Sequence, residues 1–225
     1  MKVLDLFSGV GGFSLGLERA GMQTIAFCEV DPFCQAILAK HWPGVPCYSD
    51  IRSVSAADGL SADLICGGFP CQPFSSASAG KSRGQEDDRY LWPEMLRVVA
   101  EVRPAWVCAE NVVGIGRVAL AQVVSDLEAL GFTVATLVIP ACALGYDHRR
   151  DRVWFVGHTD REGEPVRTVH AEVARMSRTG HEPGHTRATH GVPRGVDGHR
   201  RRVIGNAVVP AIPEMIGRAI MESMT

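Results

Sequence analysis

With 225 residues, 46% of them hydrophobic and 21% charged, the chain has the size of one globular domain with a real core and none of the bias of a disordered, collagenous or coiled-coil protein. A formal net charge of -2 gives no global basic signature, so contact with phosphates would need a locally cationic face. No long apolar run occurs and Met1-Lys2 leads straight into a strand pattern, so neither a membrane span nor a signal peptide is expected, and the expected location is cytoplasmic.

In chain order, "KVLDLF" (2–7), "QTIAFCEV" (23–30), "GVPCYSD" (44–50), "ADLICGG" (62–68), "AWVCAENV" (105–112), "TVATLVIP" (133–140) and "RVWFVG" (152–157) read as strands. Segments with a period near 3.6 lie between them, such as "FSLGLERAG" and "LWPEMLRVVAEVRP", each closed by Gly or Pro. Repeated β-α-β units predict an α/β fold, a mostly parallel sheet with helices on both faces, and ligands bound at the carboxyl ends of its strands. After Gly157 the texture changes. Residues 158–202 hold six of the eight histidines, nine arginines and few large apolar side chains, and read as a loop-rich insert. The apolar pattern returns at "VIGNAVVPAIPEMIGRAIMESM" (203–224), a strand or turn leading into a helix. Three histidines in "HEPGHTRATH" invite a metal reading, but no nearby cysteine or acidic partner completes a site, so no metal is expected.

Two features carry chemistry. In "DLFSGVGGFSLGLERAG" (5–21) a strand ends in a glycine-rich turn at Gly9, Gly11 and Gly12 before a helix starts, which lets a nucleotide-like ligand approach the backbone near a helix N-terminus. The second strand ends in "CEVD", where Glu29 is placed for two ribose hydroxyls, and Asp50 follows the third strand, where it could accept from an adenine amine. This spacing fits an adenosyl cofactor, a description that covers both NAD and S-adenosylmethionine. The second feature is a thiol. The seven cysteines are odd in number and unpaired by CxxC spacing, so free thiols are expected, and those inside strands read as small buried hydrophobes. Cys71 differs: it follows the fourth strand, between Pro70 and Pro73 and after Gly67-Gly68, at the mouth of a loop.

The ordered set "DLFSGVGGFSLGLERAG", "GGFPCQPFS", "ENV" (110–112), "HRRDRVWFVG" (148–157) and "GNAVVP" (205–210) resembles the motifs of DNA (cytosine-5) methyltransferases of phage or prokaryotic type. The resemblance implies a Rossmann-like S-adenosylmethionine-dependent methyltransferase fold, double-stranded DNA as partner, and methyl transfer to carbon 5 of a flipped cytosine. By position it implies Cys71 as nucleophile, Glu110 as the acid at the cytosine ring, Arg152 at cytosine O2 and Arg150 as a brace beside it. It implies Phe7, Gly9, Gly11, Glu29, Asp50, Pro70, Asn206 and Val208 around the cofactor, and Ser75, Lys81 and Arg83 toward DNA from the loop after Cys71. Two positions depart from the family: Val30 stands where an aromatic usually stacks on adenine, and His148 stands where Gln is usual.

The expected organisation is a catalytic and cofactor-binding domain (1–157), a short target-recognition segment (158–202) and a return to the catalytic domain (203–225). The segment is far shorter than the family's usual recognition domain. Arg200, Arg201 and Arg202 are expected to clamp the DNA backbone, and a partner chain could supply further recognition. Two other readings share these residues: an RNA cytosine-5 methyltransferase of the same family, and a non-catalytic or partner-dependent DNA-binding subunit.

Overall fold

The seven apolar runs become seven strands of one sheet in the computed structural model, which describes residues 1–70, 90–146, 149–160, 163–178 and 205–224, with Gly198 and Val203. The strands are β1 (Lys2–Leu6), β2 (Gln23–Cys28), β3 (Cys47–Tyr48), β4 (Leu64–Gly68), β5 (Trp106–Val112), β6 (Thr133–Ile139) and β7 (Arg152–His158). Their order in the sheet is β3-β2-β1-β4-β5-β7-β6. The first five are parallel, and β7 runs antiparallel to both β5 and β6.

Parallel neighbours need crossover connections, and helices α1 (Gly12–Arg19), α2 (Pro32–His41) and α3 (Trp92–Val102) lie along them, while α4 (Arg117–Ala129) leads from β5 to β6, two places away in the sheet. α2 starts where the sequence allows it: Pro32 occupies the first turn, and the Asp31 carboxylate accepts the Phe33 N–H at 2.9 Å. α3 and α4 cover one face through Trp92, Met95, Val99, Val123 and Leu127. α1, with α5 (Glu164–Arg178) and α6 (Ala211–Glu222), covers the other through Phe13, Leu17, Val169, Ile216 and Ile220. Residues along β5 alternate between the faces, Trp106 and Cys108 toward α1, α5 and α6, Val107 and Ala109 toward α3 and α4. Burial on both faces is why these strands read as unbroken apolar runs. The contact between α1 and α6 is backbone-close: a Cβ on Gly16 would collide with the carbonyl of Pro210.

The loop-rich reading of 158–202 does not hold over 164–178, which form α5. Val166, Val169 and Val173, spaced three and four apart, make one buried stripe, while Arg167, His170 and Arg175 face outward. Three valines among charged neighbours suffice because α6, β6 and β7 offer a ready apolar surface. α5 also returns the chain toward the carboxyl edge of the sheet, since β7 ends opposite the start of β5, with His158 across from Trp106. At that edge α5 touches the turn Ala141–Leu144 that follows β6. No helix among the described residues is long and apolar enough to cross a membrane, and none of them form a cluster of metal-ligating side chains.

Candidate active site

The carboxyl ends of β1, β2, β4 and β5 open onto one cavity of about 390 Å³. At one end of it, Phe7 leaves β1 in the left-handed region (φ 54°), followed by Gly9 (φ 55°). A left-handed aromatic is costly, on the order of 1 kcal/mol, and persists only where its surroundings hold it. Here Ser8 supplies the hold: its hydroxyl donates to the Asp5 carbonyl at 2.6 Å and its N–H to the Cys28 carbonyl at 3.1 Å. The Gly9 N–H donates to Glu29 Oε2 at 2.6 Å, and the Asp31 N–H donates to Glu29 Oε1 at 2.8 Å. Glu29 is thus oriented by two backbone donors, and each oxygen keeps a further lone pair for the cavity it lines. Asp50 caps a short 3₁₀ turn, Ile51–Ser53, with its Oδ1 accepting the Arg52 N–H at 2.9 Å. Apolar walls between the two carboxylates come from Phe7, Cys28, Cys34, Ile51 and Leu91. Burial pushes the Cys28 and Cys34 thiols up to about 12, so both are inert wall groups.

Glu110, on β5 three strands across the sheet from β2, lines the same cavity with Gly68 and Pro70. Its Oε1 pairs with Arg152 Nε at 2.8 Å. Burial pushes its carboxyl up to about 7, against the opposing pull of Arg152 and Arg150. Arg150, itself left-handed at φ 39°, donates from Nη1 to the Gly205 carbonyl and from Nη2 to the Ala207 carbonyl, each at 2.6 Å. That fork fastens the segment carrying Asn206 and Val208, both of which line the cavity. Asn111 donates from Nδ2 to the Phe69 carbonyl at 2.8 Å, tying β5 to the stretch that leads into Pro70.

Of the residues expected around a cofactor, Phe7, Gly9, Glu29, Asp50, Pro70, Asn206 and Val208 all line the cavity, and Glu110 joins them. Gly11 does not. It is the left-handed N-cap of α1, and a Cβ there would lie 2.6 Å from the ring of Trp42, so glycine serves the packing of α1 against α2's end. Cys71, Ser75, Lys81, Arg83, His148, Arg200, Arg201 and Arg202 lie outside the described residues. Spacing alone missed Ile51, Leu91, Arg52 and Val203 as lining residues, because loops and a helix start bring them in. It also missed Asp5, wholly buried, whose Oδ2 accepts from the Ser14 hydroxyl at 2.7 Å and fixes the first turn of α1. Val30 is 77% exposed at the rim, where it offers a small apolar side chain in place of an aromatic ring.

The raised Glu110 carboxyl has a stability consequence that needs no substrate. Its folded value near 7 exceeds its ordinary value of 4.5, so its contribution is fully present below about 4.5 and is lost as pH rises through about 7. Glu110→Gln keeps a neutral side chain there at every pH. In urea unfolding, the variant is expected to gain on wild type between about pH 5.5 and about pH 8.5, a comparison that cancels the titration of Asp5, whose carboxyl burial also pushes up to about 7. A constant difference across that range would refute the assignment.

One cavity thus joins the Glu29 and Asp50 carboxylates, acceptors for hydroxyl or amine donors, to a buried, arginine-paired glutamic acid whose carboxyl is pushed up to about 7. The chain belongs to the C-5 cytosine-specific DNA methylase family, whose pattern matches residues 1–189. It is 38% identical over 162 residues to the type II methyltransferase M2.BsuMI of Bacillus subtilis (strain 168), covering 68% of this chain and 41% of that protein. To the type II methyltransferase M.FnuDI of Fusobacterium nucleatum it is 35% identical over 162 residues, covering 70% and 46%. Among solved structures, a prophage-encoded protein from E. coli described as a DNA modification methyltransferase superposes with a TM-score of 0.60 at 28% identity, covering 70% of this chain and 46% of that one. The S. pombe Dnmt2 methyltransferase shares the fold, with a TM-score of 0.60 at 21% identity. The chain spans about half the length, or less, of the curated relatives it matches.

Proposed function

We propose that this chain transfers a methyl group from S-adenosylmethionine to carbon 5 of cytosine in double-stranded DNA. The observation that carries the reading is the continuity of the cavity from Glu29 and Asp50 to Glu110. Bound there, S-adenosylmethionine supplies an electrophilic methyl group.

The chain's own residues supply the rest. Glu29 accepts from the ribose hydroxyls with the lone pairs its two backbone donors leave free, and Asp50 accepts from the adenine amine. Cytosine carbon 5 is too electron-poor to take a methyl group unaided, so a nucleophile adds first. Cys71 directly follows Pro70, which lines the cavity. Its thiolate adds to carbon 6, and the displaced ring electrons reach N3, where the protonated Glu110 donates. A Glu110 carboxyl held near 7 keeps a large protonated fraction at neutral pH, the condition for that donation. Arg152 holds Glu110 at the ring and presents its guanidinium to cytosine O2. Carbon 5, now nucleophilic, would take the methyl group as its bond to the donor's sulfonium sulfur breaks, the electron pair staying on sulfur to leave S-adenosylhomocysteine. Loss of its proton to water then re-forms the 5,6 double bond as the bond from carbon 6 to sulfur breaks and releases the Cys71 thiolate, and N3 returns its proton to Glu110. A stacked base cannot enter this cavity, so the cytosine is extruded at a cost of a few kcal/mol.

Calorimetry with S-adenosylhomocysteine tests the adenosyl end. Wild type is expected to bind, and Glu29→Ala to bind at least about tenfold more weakly, having lost acceptors for two hydroxyls and the anchor of the Gly9 turn. Equal affinity would mean the adenosine lies elsewhere.

Recognition is the second part of the proposal. Each good bidentate base contact discriminates by about 1–3 kcal/mol and needs a rigid scaffold. Since α5 spends residues 164–178 on packing against the catalytic domain, little of 158–202 remains for reading bases. The chain alone is expected to methylate a context of about two or three base pairs, with Arg200, Arg201 and Arg202 meeting phosphates. Bisulfite sequencing of plasmid from cells expressing it would show this. One fully methylated site of about five or more specified pairs would refute it.

A further inference from the structure

The wall that carries Asp50 is not part of the sheet. It is the 3₁₀ turn Ile51–Ser53 and the chain to Val54, which follow a strand of only two residues, Cys47–Tyr48. Asp50 and Arg52 are exposed, and the turn's internal bonds are short-range: Ser53 N–H to the Asp50 carbonyl at 3.0 Å and Val54 N–H to the Ile51 carbonyl at 3.2 Å. The Ile51 and Val54 side chains, both buried in the core, hold the turn from within, but the bonds just named tie its backbone only to itself, and Asp50 and Ile51 both line the cavity.

Arg97, on the far side of that turn in α3, supplies what is missing. Its Nη2 donates to the Ile51 carbonyl at 2.9 Å and its Nη1 to the Val54 carbonyl at 3.0 Å, so one planar guanidinium grips both ends of the turn. The guanidinium is oriented in turn by Glu94, which accepts from Nε at 2.9 Å, and by Glu101, which accepts from Nη1 at 2.8 Å. Glu101 also accepts from the Ala56 N–H at 3.4 Å, extending the same hold beyond Val54. α3 starts just after Leu91, which lines the cavity too, so the helix that anchors the turn also contributes to the wall.

We infer that Arg97 is a positioning residue for the cofactor: through the Ile51 and Val54 carbonyls it sets where Asp50 and Ile51 stand against the adenine end of the cavity. The inference rests on the adenosyl reading above. It requires the geometry of the guanidinium and not merely its charge, because a lysine ammonium is a point donor that cannot span two carbonyls while meeting two carboxylates.

Arg97→Lys is therefore the decisive variant. Its dissociation constant for S-adenosylhomocysteine, by calorimetry, is expected to rise about tenfold, with a matching rise in KM for S-adenosylmethionine and kcat at saturating donor changed less than about twofold. A purely structural role would instead lower the thermal midpoint and leave affinity alone, and a purely electrostatic one would let lysine restore wild-type affinity; either result overturns the inference. Glu101→Gln, which removes one orienting carboxylate and keeps Arg97, is expected to shift affinity the same way by a smaller factor, and decides the matter should the lysine variant fold poorly. If the wild-type chain showed no affinity for S-adenosylhomocysteine, the adenosyl reading itself would fall, a result distinct from wild type and Arg97→Lys binding equally.

Discussion

Cys71→Ser is expected to abolish methyl transfer while leaving S-adenosylhomocysteine affinity at the wild-type level. The proposed reaction cannot begin until carbon 6 carries a nucleophile, and a serine hydroxyl lacks both the acidity and the intrinsic nucleophilicity of a thiol. Pro70, the neighbour that lines the cavity, is untouched by the change, so the binding end keeps its shape. A duplex containing 5-fluorocytosine sharpens the comparison. After methyl transfer no proton remains on carbon 5 to be lost, so the wild-type adduct cannot collapse and should survive denaturing electrophoresis, whereas the serine variant should form none. Transfer by Cys71→Ser at more than a trace would sink the covalent mechanism.

Glu110→Ala is expected to lower kcat by about 10²- to 10⁴-fold, the usual worth of a positioned acid, with cofactor affinity nearly unchanged. Glu110 is carried by β5, three strands across the sheet from β2, which leads into Glu29, so loss of its side chain removes the proton donor without touching the ribose and adenine acceptors. Alanine also strands the Arg152 guanidinium, which pairs with Glu110 at 2.8 Å, and that cost belongs to stability. Glu110→Gln separates the two effects, because it keeps a hydrogen-bonding partner for Arg152 and still cannot donate an acidic proton. Both variants should lose turnover together; a glutamine variant with wild-type kcat would remove Glu110 from the acid role.

Much of this architecture was legible because burial on both sheet faces forces continuous apolar runs, and each of the seven runs corresponds to a strand. The third was overread most: "GVPCYSD" yields two strand residues, since Pro46 cannot donate to a ladder and Asp50 is taken by the 3₁₀ turn it caps. α5 was hidden because its stripe is three valines in an otherwise charged and histidine-bearing stretch, and a marginal amphipathic helix depends on a partner surface that no local window contains. The same limit governs the site. Glu29, Asp50 and Glu110 sit at strand ends, where topology alone predicts ligand contact. Gly11 does not line the cavity, and the ring a Cβ there would meet, Trp42, lies 31 positions away in sequence; Arg97 gave no signal because its partners are the carbonyls of Ile51 and Val54, groups that every residue has.

The central claim, that this cavity delivers a methyl group to carbon 5 of cytosine in DNA, is tested most directly by product identity. The chain would be incubated with S-adenosylmethionine carrying a tritiated methyl group, in parallel with duplex DNA and with transfer RNA, and the nucleic acid digested to nucleosides and separated. The account predicts label in 5-methyldeoxycytidine from the duplex, absent with Cys71→Ser. Label in N4-methyldeoxycytidine or N6-methyldeoxyadenosine, or in transfer RNA with the duplex blank, would contradict it.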